Sequence, residues 1–436
     1  MRRVFLAFIL IVFVDSVASA QTLRIYHIDV EQADSALIVM PNGKSLLIDA
    51  GKNKHGKRIK KVMDAAGVTQ IDAFVNSHFH EDHFGGADDL HNMGVEILEV
   101  YDRGQELASA ADKAQKTFRE YRESVGEDAI RLKPGDRIEL DPLVDIKCIS
   151  ASGFVIDDPN PAAASHEEND LSVSLLLTFR GFKAFFGGDT ENPTEERIEA
   201  ADLVTDVDLY KSNHHGSNTS SSHSFLGDLR PSLVVISNGS NKGYNHPQQT
   251  TLQAYRNLPM PPVVLQTNRC KHPAPCGNVD NASIADVQSS GEIGTILVTV
   301  DGATASYTAR YGTTVRNFQI KAPVDGGAAT TSTTVIQSLL PNPDGDDEQL
   351  EEVTLKNAGT LAINLTGWML KDRSGLTWML TGAIAPGQSQ AFRRGGQAMS
   401  LNNNGDEITL IDAASVARDR FSYATSSEGQ QIVTSH

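Results

Sequence analysis

His78-Phe79-His80-Glu81-Asp82-His83-Phe84-Gly85-Gly86 gathers at least four side chains able to bind a transition metal into six residues. Neutral imidazoles beside a carboxylate suit zinc or a similar borderline metal, and so dense a cluster has room for two neighbouring ions. The preceding run, Ile71-Asp72-Ala73-Phe74-Val75-Asn76-Ser77, reads as a buried strand, so the cluster is expected where a strand opens into a loop. Of the thirteen histidines in the chain, three fall here. A surface loop enriched in histidine by composition alone would not concentrate them so.

Working outward, Leu23 to Asp29, Ser35 to Met40 and Ser45 to Asp49 are apolar or alternating runs, with Pro41-Asn42-Gly43-Lys44 as a turn, and predict an antiparallel meander. A helix is expected over Lys57 to Ala66, stopped by Gly67. Downstream, Gln105 to Ser124 reads as helical, Arg131 to Ile149 as strands turned at Pro134-Gly135, and Gly153 to Asp170 as loop. Leu171 to Phe179 and Gly181 to Phe186 predict a hairpin ending in Gly187-Gly188-Asp189-Thr190, with a helix over Pro193 to Ala201. Leu209 to Asn213 leads into His214-His215-Gly216-Ser217, and Leu233 to Ser237 leads towards Tyr244-Asn245-His246-Pro247. Strand ends thus repeatedly deliver polar and ligand-type residues, as in sites built from loops on a rigid sheet.

A chain of 436 residues exceeds what one core usually supports, so two domains are expected. Met1 to Ala20 opens on Arg2-Arg3, continues through apolar Val4 to Val14 and ends Val17-Ala18-Ser19-Ala20, the pattern of a secretory signal cleaved after Ala20. Its apolar run is too short for a comfortable membrane span, and the mature chain is expected to be soluble, secreted or periplasmic, without a stable membrane span. In such a compartment Cys270 and Cys276 are expected to close a small loop, leaving Cys148 as a buried thiol. The net charge of −17 argues against broad capture of nucleic acid. Lys52, Lys54, Lys57, Arg58, Lys60 and Lys61 run the other way, either as a solvated helix face or as a hold for a phosphate chain.

From about Leu23 to Tyr311 the residues resemble the metallo-β-lactamase superfamily and, within it, the soluble domain of ComEC-type DNA-uptake proteins. Ile28-Asp29-Val30-Glu31-Gln32-Ala33-Asp34-Ser35-Ala36-Leu37-Ile38 is similar to that branch's opening, with Glu31 and Ala33 where glycines usually stand. The resemblance implies an α/β fold, a four-layer αββα sandwich with the metal site at one edge of the paired sheets. It implies His78 and His80 on a first metal, Asp82 and His83 on a second, and Asp189 bridging them. His214 is the first candidate to complete the second metal's shell and His215 the nearest alternative. Where many members place another first-metal histidine, this chain has Asn169-Asp170-Leu171-Ser172. Asn169 or Asp170 is then the candidate ligand, with His166 as a substitute. His246 of His246-Pro247 resembles a branch signature near the substrate phosphate, and is expected to be a polar contact or proton donor. His91, on the helix after the cluster, has no ligand-type companion at helical spacing and is expected to be structural.

Asp325-Gly326-Gly327-Ala328-Ala329-Thr330-Thr331-Ser332-Thr333 has linker composition, dividing a catalytic domain over 21–324 from a second domain over 334–432. No internal repeat is evident. The second domain resembles the lamin-tail domain, an all-β immunoglobulin-like sandwich, through Asn342-Pro343, Glu352-Val353-Thr354-Leu355-Lys356-Asn357, Leu365-Thr366-Gly367-Trp368-Met369-Leu370-Lys371-Asp372, Pro386-Gly387 and Asp406-Glu407-Ile408-Thr409-Leu410. Trp368 is expected in its core. From Thr331 onward twelve acidic residues face seven basic ones, a net of −5, so the domain reads as a targeting or protein-binding module rather than a nucleic-acid clamp.

These expectations converge on an exported hydrolase holding two divalent ions, zinc or alternatively manganese, and attacking with metal-activated water. Asp82, His215 and His246 are the candidate catalytic residues, with a phosphodiester, small or nucleic acid, as the expected substrate. Lactam, lactone or thioester hydrolysis is the first rival, and a non-catalytic surface protein with a structural metal site the second.

Overall fold

The computed structural model describes residues 22–109, 113–158, 167–240, 243–272, 276–290, 293–321, 334–358, 363–412 and 417–433. The signal-like segment 1–20, His166 and the linker 325–333 lie outside them. The chain divides into two compact units, Met1–Val324 and Asp325–His436.

The first unit holds two large sheets. Its strands are β1 Thr22–His27, β2 Ala36–Val39, β3 Ser45–Ile48, β4 Ile71–Val75, β5 Ile97–Asp102, β6 Ile130–Arg131, β7 Val144–Ala151, β8 Phe154–Val155, β9 Ser174–Phe179, β10 Phe182–Phe186, β11 Leu209–Lys211, β12 Leu233–Ile236, β13 Val263–Asn268, β14 Ile284–Asp286, β15 Ile296–Asp301, β16 Ser306–Tyr311 and β17 Thr314–Gln319. One sheet has the order β17-β16-β15-β1-β2-β3-β4-β5-β6, the other β14-β13-β12-β11-β10-β9-β7-β8. The expected antiparallel meander is present in β1, β2 and β3, and the sheet then turns parallel through β4, β5 and β6.

Side-chain alternation builds the layers. Along β2 and β3, Ile38, Leu46 and Ile48 point into the core between the sheets, where they join Leu175, Phe182 and Leu233 of the second sheet. Their neighbours Leu37, Val39 and Leu47 point the other way, onto Ile59, Met63 and Leu90 of the outer helices. The second sheet does the same with Phe185, Tyr210 and Val234 against Ile198, Phe225 and Leu252. Helix, sheet, sheet and helix therefore stack as the four expected layers. The helix Gly56–Ala66 buries Ile59, Met63 and Ala66 and ends at Gly67 with φ 75°, a left-handed cap that glycine adopts without strain.

Two expectations are corrected. The stretch Gln105 to Ser124 is not one helix: a single tight turn at Gln105–Leu107 precedes a short helix Lys116–Tyr121 that opens into a wider turn at Arg122–Gly126. Its burial explains the break: among the described residues of the stretch only Ala108, Phe118 and Tyr121 join the core, and they form no continuous apolar stripe to hold a long helix. Likewise Gly153 to Asp170 is not wholly loop, since it contains β8 and one turn at Asn169–Leu171. Cys270 and Cys276 are joined and Cys148 is a buried free thiol. Among the described residues no helix is long and apolar enough to cross a membrane.

The second unit is all antiparallel. One four-stranded sheet runs Ser389–Arg393, Glu352–Asn357, Thr334–Leu340, Ile432–Val433, a second Thr377–Met379, Met369–Lys371, Asp406–Ile411, Ala417–Tyr423, and Ile363–Asn364 pairs with Ala383–Ile384. Ile336, Leu355, Leu370 and Leu410 meet in its core. The fully buried indole there is Trp378, 1 % exposed, while Trp368 is half-buried against the same cluster.

Candidate metal centre

Parallel pairing of β3 with β4, Ile48 opposite Val75, sets the next residues of both strands side by side. Asp49 thereby receives the Ser77 backbone N–H at 2.8 Å and the Ser77 hydroxyl at 2.9 Å. The cluster loop begins at that point. After His78-Phe79-His80 a single helical turn, Glu81–Phe84, brings His83 back beneath the loop, with its Nδ1 2.7 Å from Asp49 Oδ2. The turn-and-return places His78 and His83 with ring centres 4.1 Å apart. A carboxylate on the far nitrogen of an imidazole orients the ring and frees the other nitrogen for a metal.

The loop is anchored from behind. Arg103, buried, lies over the Phe79 ring at 4.3 Å and donates to Glu168, whose other contact is the Phe79 N–H at 2.7 Å.

Asp189 arrives from the end of β10. A Cβ on Gly187 would overlap the Asn213 side chain, and one on Gly188, at φ +57°, would sit 2.8 Å from the Ser77 Cβ. The glycine pair therefore lets this strand end lie flat against the cluster loop. Ser172 then accepts the Asp189 N–H at 3.1 Å.

The third arm is Asn213-His214-His215-Gly216, a tight turn after β11 in which His214 and His215 both adopt left-handed backbone, φ 48° and 53°. Such backbone is strained for residues with a Cβ and persists only where neighbours over-determine it. Here Asn213 donates to Glu195 at 2.9 Å and to Tyr210 Oη at 3.0 Å, and the His214 N–H donates to Gly188 O at 3.1 Å. The strain sends the two imidazoles to different places. His215 fixes its Nδ1 on Ser237 O at 2.9 Å and aims Nε2 at Asp189 Oδ2, 3.5 Å, and Asp82 Oδ2, 3.7 Å. His214 fixes its Nδ1 on Glu191 at 3.1 Å and turns Nε2 towards Asp189, 3.7 Å, and the Asn169 amide, 3.5 Å.

Donor atoms within 4.8 Å of one another form the groups His78-His83-Asp189 and Asp82-His83-His215, and Asp34 joins Asp189 and His215 in a third. The residue grouped with Asp82 and His83 is thus His215, while His214 approaches Asp189 from beside Asn169 and Glu191. His80 lies beside His78, Nδ1 to Nε2 3.0 Å. Asn169 faces the site, whereas Asp170 turns back to accept the Glu191 N–H at 3.1 Å and joins no donor group among the described residues. His91 is exposed on its helix, away from the cluster. Sequence reasoning did not single out Asp49, Asp34, Glu191 or Lys211. A carboxylate closing the strand parallel to the cluster strand was the available signal for Asp49.

These residues fit a cation. His83 Nε2 and His215 Nε2 are buried without a hydrogen bond and stand 3.3 and 3.5 Å from Asp189 Oδ2, and Asp189 Oδ1 has no partner either, although an unsatisfied buried polar atom costs about 1–3 kcal/mol. Burial holds His78 well below the usual imidazole range and His215 at about 3, so both present neutral nitrogens as ligands must. Burial opposes charge on His83 too, yet Asp189 and Asp49 raise it well above its ordinary value. Burial likewise works against an ionised Asp189, but His83, His215 and His214 hold it well below the carboxylate range. A carboxylate centre that draws a proton onto His83 is one that draws a metal in its place.

The centre opens into a cavity of about 260 Å³, whose outer wall is Gln32, Lys52, Tyr244 and His246. Burial and the neighbouring His214 pull His246 down to about 4, so its ring is neutral. The basic run is divided by the fold: Lys52 reaches this cavity, Lys60 pairs with Asp64, and Lys57, Arg58 and Lys61 line a separate one.

The Beta-lactamase superfamily domain model matches residues 44–236 and the Lamin Tail Domain model residues 327–425. Over those residues the chain carries a beta-lactamase superfamily domain, followed by a lamin tail domain, and the first of them holds the candidate metal centre. More particularly, the chain is related to competence proteins, as the resemblance implied. It is 27% identical to ComE operon protein 3 of Bacillus subtilis over 52% of this chain and 30% of that protein. It is 24% identical to Recombination protein 2 of Haemophilus influenzae over 54% of this chain and 26% of that protein. The chain spans under a third of the length of these relatives. Among solved structures, a beta-lactamase from Chitinophaga pinensis aligns with TM-score 0.31 and 18% identity, covering 48% of this chain and 84% of that one.

Proposed function

We propose that this protein is an exported phosphodiesterase that uses a dinuclear centre, zinc or alternatively manganese, to cleave a small or nucleic-acid phosphodiester. The observation that carries the reading is the convergence of buried His83 Nε2 and His215 Nε2, neither of them hydrogen-bonded, on Asp189 at 3.3 and 3.5 Å, beside an open cavity that also presents Lys52. His78, His80 and Asp189 would hold one ion, and Asp82, His83, His215 and Asp189 the other, with Asn169 and His214 bordering the first. Divalent ions bound there would supply a hydroxide near neutral pH and offset charge developing on the attacked centre.

The protein's own groups do the rest. Lys52 offers a cation and Gln32 an amide to the substrate's anionic oxygens. His246, neutral, offers a hydrogen bond to the leaving side. Asp82, next to His215, orients the attacking water. Phosphorus is favoured over acyl carbon because Lys52 faces the cavity and because the position that carries a further imidazole in lactam-type members is Asn169. The names of the curated relatives, a competence operon product and a recombination protein, support a nucleic-acid context. Export rests on Met1 to Ala20, and the lamin tail domain is proposed to engage a protein or surface partner.

The test uses protein lacking Met1 to Ala20, with and without chelator, on bis-p-nitrophenyl phosphate, defined oligonucleotides and nitrocefin. Chelator-sensitive diester turnover that vanishes in Asp189→Asn is the expected result. Nitrocefin or lactone turnover without diester turnover reverses the assignment, and equal activity in wild type and variant removes the site from the chemistry.

A further inference from the structure

A second cavity, about 500 Å³, lies between the helix Gly56–Ala66 and the outer face of β1, β15 and the β16–β17 turn. Its two halves differ in chemistry. Tyr26, Val62, Leu297 and Ile293 give an apolar floor, with Ile293 61 % exposed at its rim. Lys57 and Lys61 stand one helical turn apart on one wall, with Arg310 among the residues lining the rest. Arg58 is already neutralised by Glu31 at 2.8 Å. None of Lys57, Lys61 and Arg310 has a carboxylate within 4 Å among the described residues. The one acid in the lining, Asp29, is 2 % exposed and engaged by Asn268 and the Gly294 N–H.

The walls are held in place. Arg24 donates to Tyr26 Oη at 3.1 Å and to Ala66 O at 3.3 Å, tying the sheet to the end of the helix. The Tyr311 hydroxyl donates to Ala282 O at 2.7 Å. Three unpaired cations around an apolar floor, in a chain of net charge −17, are a local reversal of the protein's field that selects an anion. The volume is that of a small-molecule site, and the apolar floor asks for more than an inorganic ion.

We propose that this cavity binds an anionic amphiphile bearing one phosphate group, the phosphate between Lys57, Lys61 and Arg310 and the apolar body on Tyr26, Val62 and Leu297. The ligand is a single molecule taken into the cavity rather than a membrane surface. Binding here is separate from the metal centre and stands whether or not the diesterase assignment does.

The probe is dodecyl phosphate below its micelle concentration, measured by titration calorimetry on the whole chain lacking Met1 to Ala20. Wild type is expected to bind one equivalent, and inorganic phosphate at least tenfold more weakly. Lys57→Glu with Lys61→Glu is expected to weaken binding at least tenfold, and Ala65→Trp, which fills the cavity from an exposed helix position, to do the same. Both variants change exposed residues, so thermal unfolding should stay near that of wild type and metal content should not change. Absence of saturable binding by wild type overturns the proposal, as does binding indifferent to both variants. Sedimentation with phosphatidylglycerol vesicles that depends on Lys57 and Lys61, without binding of the monomeric probe, also overturns it in favour of a membrane surface.

Discussion

Lys211 and Asp34 form an ion pair inside the protein, with side chains 2 % and 5 % exposed. Lys211 Nζ also donates to Gly188 O at 3.0 Å, so a fixed ammonium ties the start of the His214-His215 turn to the strand end that presents Asp189. Asp34 otherwise lies within reach of Asp189 and His215. The lysine therefore neutralises a carboxylate that lies beside the candidate centre.

Removing one member of such a pair leaves the other charge buried and uncompensated. Lys211→Met is expected to cost about 3–5 kcal/mol in urea unfolding, and the double variant Lys211→Met with Asp34→Asn to recover much of it. A double variant no more stable than the single one would show that the pair's charges are not what matters.

Asp49 acts on the candidate centre chiefly through His83, its hydrogen bond fixing which nitrogen faces inward. Asp49→Asn keeps the shape but not the charge. It is expected to weaken metal binding about 10–100-fold, measured by competition with a chelating dye, with unchanged circular dichroism. Undiminished affinity would separate Asp49 from the centre.

Metal removal should be visible without any substrate. A ligand present at 100 times its dissociation constant stabilises the folded state by about 2.7 kcal/mol, so chelator is expected to lower the melting temperature of the metal-loaded protein. In Asp189→Asn, chelator should make little difference. An identical drop in both proteins would place the bound metal elsewhere.

Glu195 anchors the strained histidine turn, accepting from Asn213, from the Ser221 N–H at 2.8 Å and from the Ser222 N–H at 3.0 Å. Burial nonetheless outweighs these donors and pushes it up to about 7. A carboxyl raised on folding holds its proton longer when folded, so its stabilising contribution is complete below about pH 4.5 and is lost as pH rises through about 7. Wild type is expected to lose roughly 1–3 kcal/mol relative to Glu195→Gln between pH 5 and pH 8. Parallel stability profiles for the two proteins would contradict this.

Much of the candidate centre was legible because its ligand-type residues are dense in sequence. His78, His80, Asp82 and His83 sit within six residues, and Gly187-Gly188-Asp189-Thr190 ends a strand whose apolar run is plain. The divided loyalties of His214 and His215 were not legible. Neighbouring residues at ordinary helical or extended backbone would be ranked by spacing, but here both take left-handed angles, and only the hydrogen bonds from Asn213 and to Gly188 specify that. Asp49 was hidden for a different reason: the carboxylate at its strand end was a signal only to a reader who already knew which strand runs beside it. The helix expected over Gln105 to Ser124 failed where polar composition passed for helical pattern without an apolar stripe to pack.

By itself, the order of residues determined the alternating strands of two sheets, the tail domain's short strands and the identity of most donor atoms, because periodicity and metal-ligand chemistry are local properties. Tertiary structure alone decided which imidazole joins Asp82, which carboxylates stand behind the ligands, and how the basic run is parted between two cavities. Those outcomes depend on strand register and on contacts between residues more than a hundred positions apart, which no local pattern encodes.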